Sequence, residues 1–513
     1  MNSNMANPHF SPPAARAPQW FAWLGVVALA GYAVLLGVNS TIAAGGSDSS
    51  GYLNSARLLA SGRVAVPVRT SPGFGPAEGV PPEWFQPLGF VVLEMSSDLT
   101  PTYPSGFPLH LALAGKILGW SWGPRFVELA GALAAIWLCY AVGRELGLSW
   151  PLAAAAAVVL AACPVMLFAS LQPLSDLPAT TWCLAAVWAA LRSRRQAGWA
   201  AACGAAYGVA VLVRPTNIVL LPALLVLLGL HGRRLTWAAL GGVPCVAWLA
   251  FYNHTLYGGA FRSGYFDWSE FFALQYFKPA ASYFLQWLAV FLPAVLLVLP
   301  LAAFWRRDTR TRGLYGLAWW FVSITGLYLF VAFSHEAWTC LRYILPALPA
   351  LILAGMLGVE AIARLLAAAP ARRLRRVFAV LIAGWAVGMS WQWSRSLGVF
   401  SIKHHEDVYI TATAAARTRF PPHTLVLCCH LSGAVFYYTD FPVLRWDVAN
   451  PAEFTRYAAM AQRAGITIGA LLFADEEQRA LQESCPGEWF CLATVDNVGV
   501  WRLAPRRAKG EID

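Results

Sequence analysis

The sequence predicts a mainly α-helical, polytopic membrane protein of about eleven transmembrane helices, followed by a small C-terminal extracytoplasmic α/β domain. Three observations lead there. The 513 residues are 58% hydrophobic and only 12% charged, with 24 Trp, which excludes an ordinary soluble domain. Apolar stretches of bilayer-spanning length recur from residue 20 to residue 393. Arginine clusters occupy every second gap between them: Arg144; Arg192, Arg194 and Arg195; Arg233 and Arg234; Arg306, Arg307, Arg310 and Arg312; Arg372, Arg373, Arg375 and Arg376. Positive charge kept on the cytoplasmic side produces that alternation and orients the chain. The net charge of +11 therefore reports membrane orientation and not nucleic-acid binding.

Residues 1–19 read as a polar, Pro-rich cytoplasmic tail, and 20–38 as an uncleaved anchor, because no small-residue cleavage site follows. A long polar, Pro/Gly-rich outer stretch runs to residue 104. Residues 106–119 are apolar but too short to cross, which places them along the interface. Crossings follow at 125–143, 151–169 and 177–191. Residues 196–213 and 217–230, separated only by Arg214, Pro215 and Thr216, read as a tight hairpin with Arg214 at its turn, below the membrane surface. The spans 235–251, 283–299, 313–333, 343–359 and 377–393 complete a transmembrane unit over 20–397 and leave the C-terminus outside. The outer loop 253–278, with Arg262, Asp267 and Glu270, is long enough for a cover over a site.

From residue 398 the composition changes. Strand-like segments at 424–429, 443–446, 466–472, 490–495 and 498–503 alternate with helical stretches at 451–464 and 475–482, which reads as an α/β domain over 398–513. An oxidising compartment would allow Cys428 or Cys429 to bridge to Cys485 or Cys491. The cysteines near the spans, such as Cys139 and Cys163, read as small apolar fillers. His404, His405, Glu406 and Asp407 look like metal ligands, although consecutive residues rarely converge on one ion.

Chemistry is expected on the outer, arginine-poor face. Asp48 follows the first span and precedes an amphipathic stretch containing Tyr52. It reads either as a helix N-cap or as a proton-accepting carboxylate. Asp176 lies in the tight outer turn Gln172–Pro178, either as a turn residue or as a second functional acid. The two acids could divide acid and base roles or hold a divalent cation, the one cofactor the sequence suggests. His335, Glu336 and Arg342 fall within ten residues and offer a base, an acid and a phosphate-binding fork. An Arg342–Glu336 ion pair is the structural alternative. Arg342 and Arg214 both break the positive-inside pattern, which points to a bound anion. Tyr103, in Tyr103-Pro-Ser-Gly-Phe-Pro108, leads into the interfacial segment and is placed to line a sugar or lipid site.

In this order the motifs resemble the C-type (GT-C) glycosyltransferases, integral enzymes that use polyprenyl-phosphate-linked sugars. The family includes protein O-mannosyltransferases and lipid A aminoarabinose transferases. Ser47-Asp48 with Tyr52, Ala56, Leu59 and Gly62 is similar to the first outer loop of that superfamily, and Pro173–Pro178 to its second acidic loop. Tyr103–Leu109, Val213–Thr216 and Arg342–Pro346 with Pro349 are similar to its recurrent span-boundary motifs. The likeness covers about 20–359, and an outer C-terminal domain occurs in some members. It implies displacement at the anomeric carbon with inversion. Asp48 would take the acceptor proton, Arg342 or Arg214 would neutralise the departing phosphate, and Asp176 would orient it, with or without a metal. Many relatives carry two adjacent acids in the first loop; here Ser49 follows Asp48, which leaves a single base. The implied partners are a polyprenyl-phosphate-linked sugar, a glycan, lipid or protein acceptor, and membrane lipid. The implied place is the bacterial cytoplasmic (inner) membrane.

Two other readings exist. A lipid-linked-sugar or solute transporter would carry polar residues near the midplane and repeated halves. Here the acids sit in outer loops and no half-repeat is evident. A GT-C-like scaffold that only binds lipid-linked sugar is the other.

Overall fold

The computed structural model describes residues 17–93, 98–265, 268–305 and 311–505. Residues 1–16 of the expected tail, Asp267 of the expected cover loop, and Arg306, Arg307 and Arg310 of the fourth arginine cluster lie outside them. Helix α1 (Gln19–Asn39) leads to α2 (Asp48–Ala60) and then to a three-stranded antiparallel sheet, β1 (Val66–Pro67), β2 (Phe90–Val92) and β3 (Asp98–Pro101), in the order β1-β3-β2. Two antiparallel helices follow, α3 (Gly106–Leu118) and α4 (Gly123–Glu145). Pro104 and Ser105 break the chain before α3, and Gly119, at φ +76°, turns it tightly into α4.

The bundle continues through α5 (Trp150–Ala162), α6 (Pro164–Ser170), α7 (Asp176–Arg192), α8 (Trp199–Val213), α9 (Leu221–Leu228) and α10 (Gly232–Tyr257). It closes with α11 (Phe277–Phe291), α12 (Val295–Trp305), α13 (Arg312–Tyr328), α14 (Leu348–Ala363) and α15 (Ala368–Ser396). Five described helical segments are long and apolar enough to cross a bilayer, or seven if two bent pairs each count as one span. That is fewer than the eleven crossings expected, because α7, α8, α9 and α13 are each 17 residues or shorter. The bends have identifiable causes. Pro164 supplies no backbone N–H, so the expected 151–169 helix kinks by 62° between α5 and α6. Leu292 is extended before Pro293, and α11 and α12 diverge by 99°.

Small residues set the closest helix approach. A Cβ on Gly204 of α8 would come within 1.8 Å of the Ala238 carbonyl of α10, and one on Gly241 of α10 within 2.0 Å of the Ala201 carbonyl of α8. Glycine there allows the two backbones to touch. The main core lies between α4, α5, α7, α13 and α14 and holds the fully buried Trp320. Arginines from separate gaps gather at one end. Arg194 and Arg234 donate to the carbonyls that end α9, Leu227 O at 3.1 Å and Leu228 O at 3.0 Å. Arg195 pairs with Glu145 at the end of α4, at 3.3 Å.

The C-terminal part covers the opposite end. Helix α16 (Ile402–Arg419) precedes a five-stranded sheet of β4 (Leu425–Leu427), β5 (Val443–Leu444), β6 (Ile468–Phe473), β7 (Trp489–Val495) and β8 (Val498–Leu503), in the order β5-β4-β6-β8-β7. Strands β5, β4 and β6 run parallel, and β8 and β7 are antiparallel additions. Helices α16 and α17 (Ser432–Tyr438) cover one face, and α18 (Pro451–Arg463) the other. This region grips α2. Asn54 donates to Gly433 O at 3.0 Å and Arg57 to Tyr437 O at 2.8 Å, with the guanidinium of Arg57 stacked 3.5 Å over the Tyr437 ring. No disulfide forms among the described residues. Cys428 and Cys429 point to opposite faces of the sheet, and Cys491 lies exposed on edge strand β7, so the expected bridge to Cys491 has no geometric basis.

Candidate functional site

Asp48 is the first residue of α2, yet it does not cap the helix. Neither it nor Ser47 satisfies a free N–H at the start of α2 with its side chain. Instead Asp48 Oδ1 accepts from the Tyr103 hydroxyl at 2.7 Å, and Oδ2 accepts from Arg342 Nη2 at 2.6 Å. Ser47 Oγ lies 2.7 Å from the same Tyr103 oxygen. Asp48 keeps a side-chain exposure of 30%, against 2% for Asp176. Burial raises the Asp48 pKa, but the Arg342 charge and the Tyr103 hydrogen bond outweigh it and hold the carboxyl below the usual carboxylate range.

Asp176 opens α7 and is paired twice. Its Oδ1 accepts from Arg214, and its Oδ2 lies 3.4 Å from Arg342 Nη1. Arg214 ends α8 in an extended backbone conformation, because Pro215 follows and starts the 3₁₀ segment Pro215–Leu220. Arg342 projects from another 3₁₀ segment, Trp338–Ala347, that runs straight into α14. Four charged groups from four distant parts of the chain thus form one alternating row: Asp48, Arg342, Asp176, Arg214. Aromatic faces flank the guanidiniums. Tyr343 lies 5.3 Å from Arg214 and 5.2 Å from Arg342, and it stacks on Tyr328 at 5.5 Å.

These four groups line one cavity of about 310 Å³, together with Tyr52, Tyr103, Ser175, Thr216, Tyr265, Tyr328 and Tyr343. Tyr52 donates to Ser175 Oγ at 2.8 Å, and its ring lies 4.7 Å from that of Tyr103. A second cavity, of about 420 Å³, shares Tyr103, Pro104, Pro215, Thr216, Tyr265 and Phe272 with the first. It extends along α10 and α13 past Ile218, Val219, Leu249, Tyr257 and Leu327. A charged chamber therefore adjoins an apolar one.

Two expected site residues fall elsewhere. His335 packs against Tyr276, with ring centroids 6.2 Å apart, and Glu336 is exposed; neither lines the cavity. Proximity to Arg342 in sequence misleads here, because Arg342 lies one and a half turns into its 3₁₀ segment and faces the acids. The Arg342–Glu336 pair is not formed, since Arg342 is taken by Asp48 and Asp176. Nor do Asp48 and Asp176 fit a shared divalent cation as arranged, because each carboxylate is already paired to a guanidinium. The acids of 404–407 brace the site from behind. Asp407 accepts from Thr41 Oγ1 at 2.9 Å, and Glu406 packs against Gly45, just before Asp48. Tyr265, Tyr328 and Phe272 also line the cavity, without a signal in the sequence that marks them. Tyr265 lies in the long loop after α10, and nothing distinguishes Tyr328 from other span aromatics.

Comparison with known proteins shows what the chain is similar to. Residues 104–252 match the family model of dolichyl-phosphate-mannose-protein mannosyltransferases. No curated protein sequence matches the chain. Among solved structures, ArnT from Cupriavidus metallidurans bound to undecaprenyl phosphate is similar at 16% identity and a TM-score of 0.60, over 95% of this chain and 98% of that one. The Archaeoglobus fulgidus oligosaccharyltransferase, tethered to an acceptor peptide, is similar at 13% identity and a TM-score of 0.58, over 96% and 75%. The mycobacterial arabinofuranosyltransferase AftD is similar at 13% identity and 0.56, over 96% and 40%. The family model over residues 104–252, and likeness across nearly all of this chain to three glycosyltransferase structures, lead to one assignment: the chain has the fold of the GT-C superfamily.

Proposed function

We propose that this protein is an inverting glycosyltransferase that moves a hexose or pentose from a polyprenyl-phosphate donor to a hydroxyl of a glycan, lipid or protein acceptor. The observation that carries the reading is the charged row of Asp48, Arg342, Asp176 and Arg214 lying beside an apolar cavity along α10 and α13. A polyprenyl phosphate has that polarity: an anionic head and a hydrocarbon tail. The undecaprenyl phosphate in the ArnT structure, and the dolichol phosphate in one of Archaeoglobus AglB, support that donor class.

In this mechanism the donor phosphate sits against Arg214 and Arg342, and the tail lies in the apolar cavity. The acceptor hydroxyl approaches Asp48, the more exposed acid. Asp48 takes its proton, the acceptor oxygen bonds to the anomeric carbon from the face opposite the phosphate, and the sugar–phosphate bond breaks. Charge gathers on the departing phosphate, where two fixed guanidiniums stabilise it most. An arriving phosphate also draws Arg342 away from Asp48. The contact that holds Asp48 acidic then weakens, and its basicity rises when it is needed. Asp176, buried and paired to both arginines, fixes their orientation.

The reading places eleven crossings over 20–397 and the 1–19 tail in the cytoplasm. The 398–513 domain lies outside the bacterial inner membrane. Mass spectrometry of lipid-linked sugars and envelope glycans after gene deletion tests the proposal. Accumulation of a polyprenyl-phosphate sugar with loss of that sugar from a glycan, lipid or protein supports it. Unchanged profiles for both, with the wild-type protein demonstrably produced, overturn it.

A further inference from the structure

The C-terminal sheet carries a cluster of ligating side chains, remote in sequence from the charged residues of the first site. Cys429 and His430 follow the carboxyl end of β4, and Glu476 follows the carboxyl end of the adjacent parallel strand β6. The chain leaves β4 towards β5 on one side and returns through α18 to β6 on the other. The gap between the ends of β4 and β6 is therefore the crevice where open α/β sheets ordinarily bind ligands.

The three side chains converge there. The Cys429 sulfur, a His430 ring nitrogen and a Glu476 carboxylate oxygen all lie within 4.8 Å of one another. Glu476 is 3% exposed and is held rigidly. Its Oε1 accepts from the Trp446 indole at 3.1 Å and the His430 backbone at 3.3 Å, and its Oε2 accepts from the Phe473 backbone at 3.1 Å. Among the described residues its one basic partner within 4 Å is His430, whose Nδ1 lies 3.7 Å from Oε1. The nearby Arg445 is forked to Asp447 and so is already neutralised. A buried carboxylate, fixed by three neutral donors and facing a thiol and an imidazole, is a preorganised cation site.

We propose that Cys429, His430 and Glu476 bind a zinc ion. A thiolate, an imidazole and a carboxylate form a mixed S/N/O set suited to Zn²⁺, which favours tetrahedral coordination. Bonds of about 2.0–2.3 Å require the ligand atoms to draw together by about 1 Å. His430, whose side chain is 55% exposed, is free to make that movement. The same exposure leaves the fourth position open to water. Thiolate coordination would release the Cys429 proton. The ion would clamp β4 to β6 across the sheet, next to the Phe473–Tyr409 ring pair, 5.4 Å apart, which leads to the Gly46 loop before Asp48.

The test uses the full-length protein in detergent, with thiols reduced and metal removed by a chelator, titrated with zinc against a competing chromophoric chelator. One equivalent per chain is expected, lost or weakened at least tenfold in Cys429→Ser and in His430→Ala. Replacing zinc by cobalt should give a thiolate charge-transfer band that Cys429→Ser abolishes. His430 is on the surface, so His430→Ala should keep the wild-type circular dichroism and remains informative if Cys429→Ser misfolds. Cys485→Ser, in the same apolar cluster but outside the ligand set, should bind zinc as wild type does. No stoichiometric zinc in the reduced wild type, or unchanged affinity in His430→Ala, overturns the proposal. So does a Cys429–Cys485 disulfide in the protein as isolated.

Discussion

Arg342 lies 2.6 Å from Asp48 and 3.4 Å from Asp176, so a single guanidinium joins the two acids. The acids differ in what they can do. Asp48 is partly exposed and open to an acceptor, whereas Asp176 is sealed in. If Asp48 is the base, Asp48→Asn should lower turnover by about 10²-fold or more, within the range for general-base catalysis. Donor binding should change little, because both arginines remain. The measurement is transfer from a polyprenyl-phosphate sugar in detergent, with donor affinity followed separately. Turnover within a few-fold of wild type would remove Asp48 from that role.

Asp176 should matter more for stability. Removing one partner of a buried pair leaves an uncompensated charge, at a cost of about 3–5 kcal/mol. Asp176→Ala strands Arg214 and is expected to lower the thermal midpoint strongly. Asp48→Asn loses only a part-exposed contact and should cost about 1 kcal/mol or less. Thermal unfolding of both variants in one detergent decides the order. If Asp48→Asn proved the less stable of the two, the assignment of Asp176 as the anchor would fail.

Arg342→Lys separates charge from geometry. A lysine keeps the positive charge but is a point donor and cannot reach two carboxylates as a fork does. Donor affinity should fall modestly, by several-fold, while turnover falls further because Asp48 loses its fixed position. Arg342→Ala should weaken donor binding as well. An unchanged donor affinity in the alanine variant would leave Arg342 a purely structural bridge.

Much of this was legible in the sequence, for reasons that also explain the gaps. Charge is rare in the chain, so arginines that break the alternation of clusters stand out, and Arg214 and Arg342 both reach the cavity with Asp48 and Asp176. Aromatics are common, so Tyr265, Tyr328 and Phe272 could not be told from interface residues before the fold placed them. His335 and Glu336 neighbour Arg342 in sequence, but the 3₁₀ turn carries Arg342 to the cavity and leaves them outside it. Apolar runs marked the helices well and their breaks poorly, since hydropathy continues through Cys163–Pro164 and Leu292–Pro293. Strands β1, β2 and β3, of two to four residues, carry no alternation long enough to read.

Gly51 tests how tightly α2 is seated. A Cβ at this position would meet the Tyr103 ring at 2.4 Å and the Gly89 backbone at 3.0 Å. Gly51→Ala gains helix propensity, yet overpacking costs about 1–3 kcal/mol and pushes on the ring that holds Asp48. Lower stability together with lower turnover is expected. A more stable and fully active variant would show that Tyr103 yields without consequence for Asp48.

The pH dependence follows from the direction of the Asp48 shift. Its folded pKa lies below the ordinary value, with Arg342 and the Tyr103 hydroxyl overcoming burial. The stability contributed by its pairing is thus fully present above the unfolded Asp value of about 3.9, and is lost only as pH falls through the lower folded value. In the free enzyme Asp48 stays ionised down to that acid range, so kcat/KM should show no acid limb from Asp48 between about pH 5 and 7. Tyr103→Phe removes one of the two groups that stabilise the charge, and should move the acid limb upward while leaving Arg342 in place. Arg342→Ala should move it the same way and further, because Arg342 contributes both a charge and a hydrogen bond. Profiles of kcat/KM for wild type and both variants make the comparison. An acid limb that stays fixed in all three would mean that Asp48 is not the group whose ionisation governs transfer.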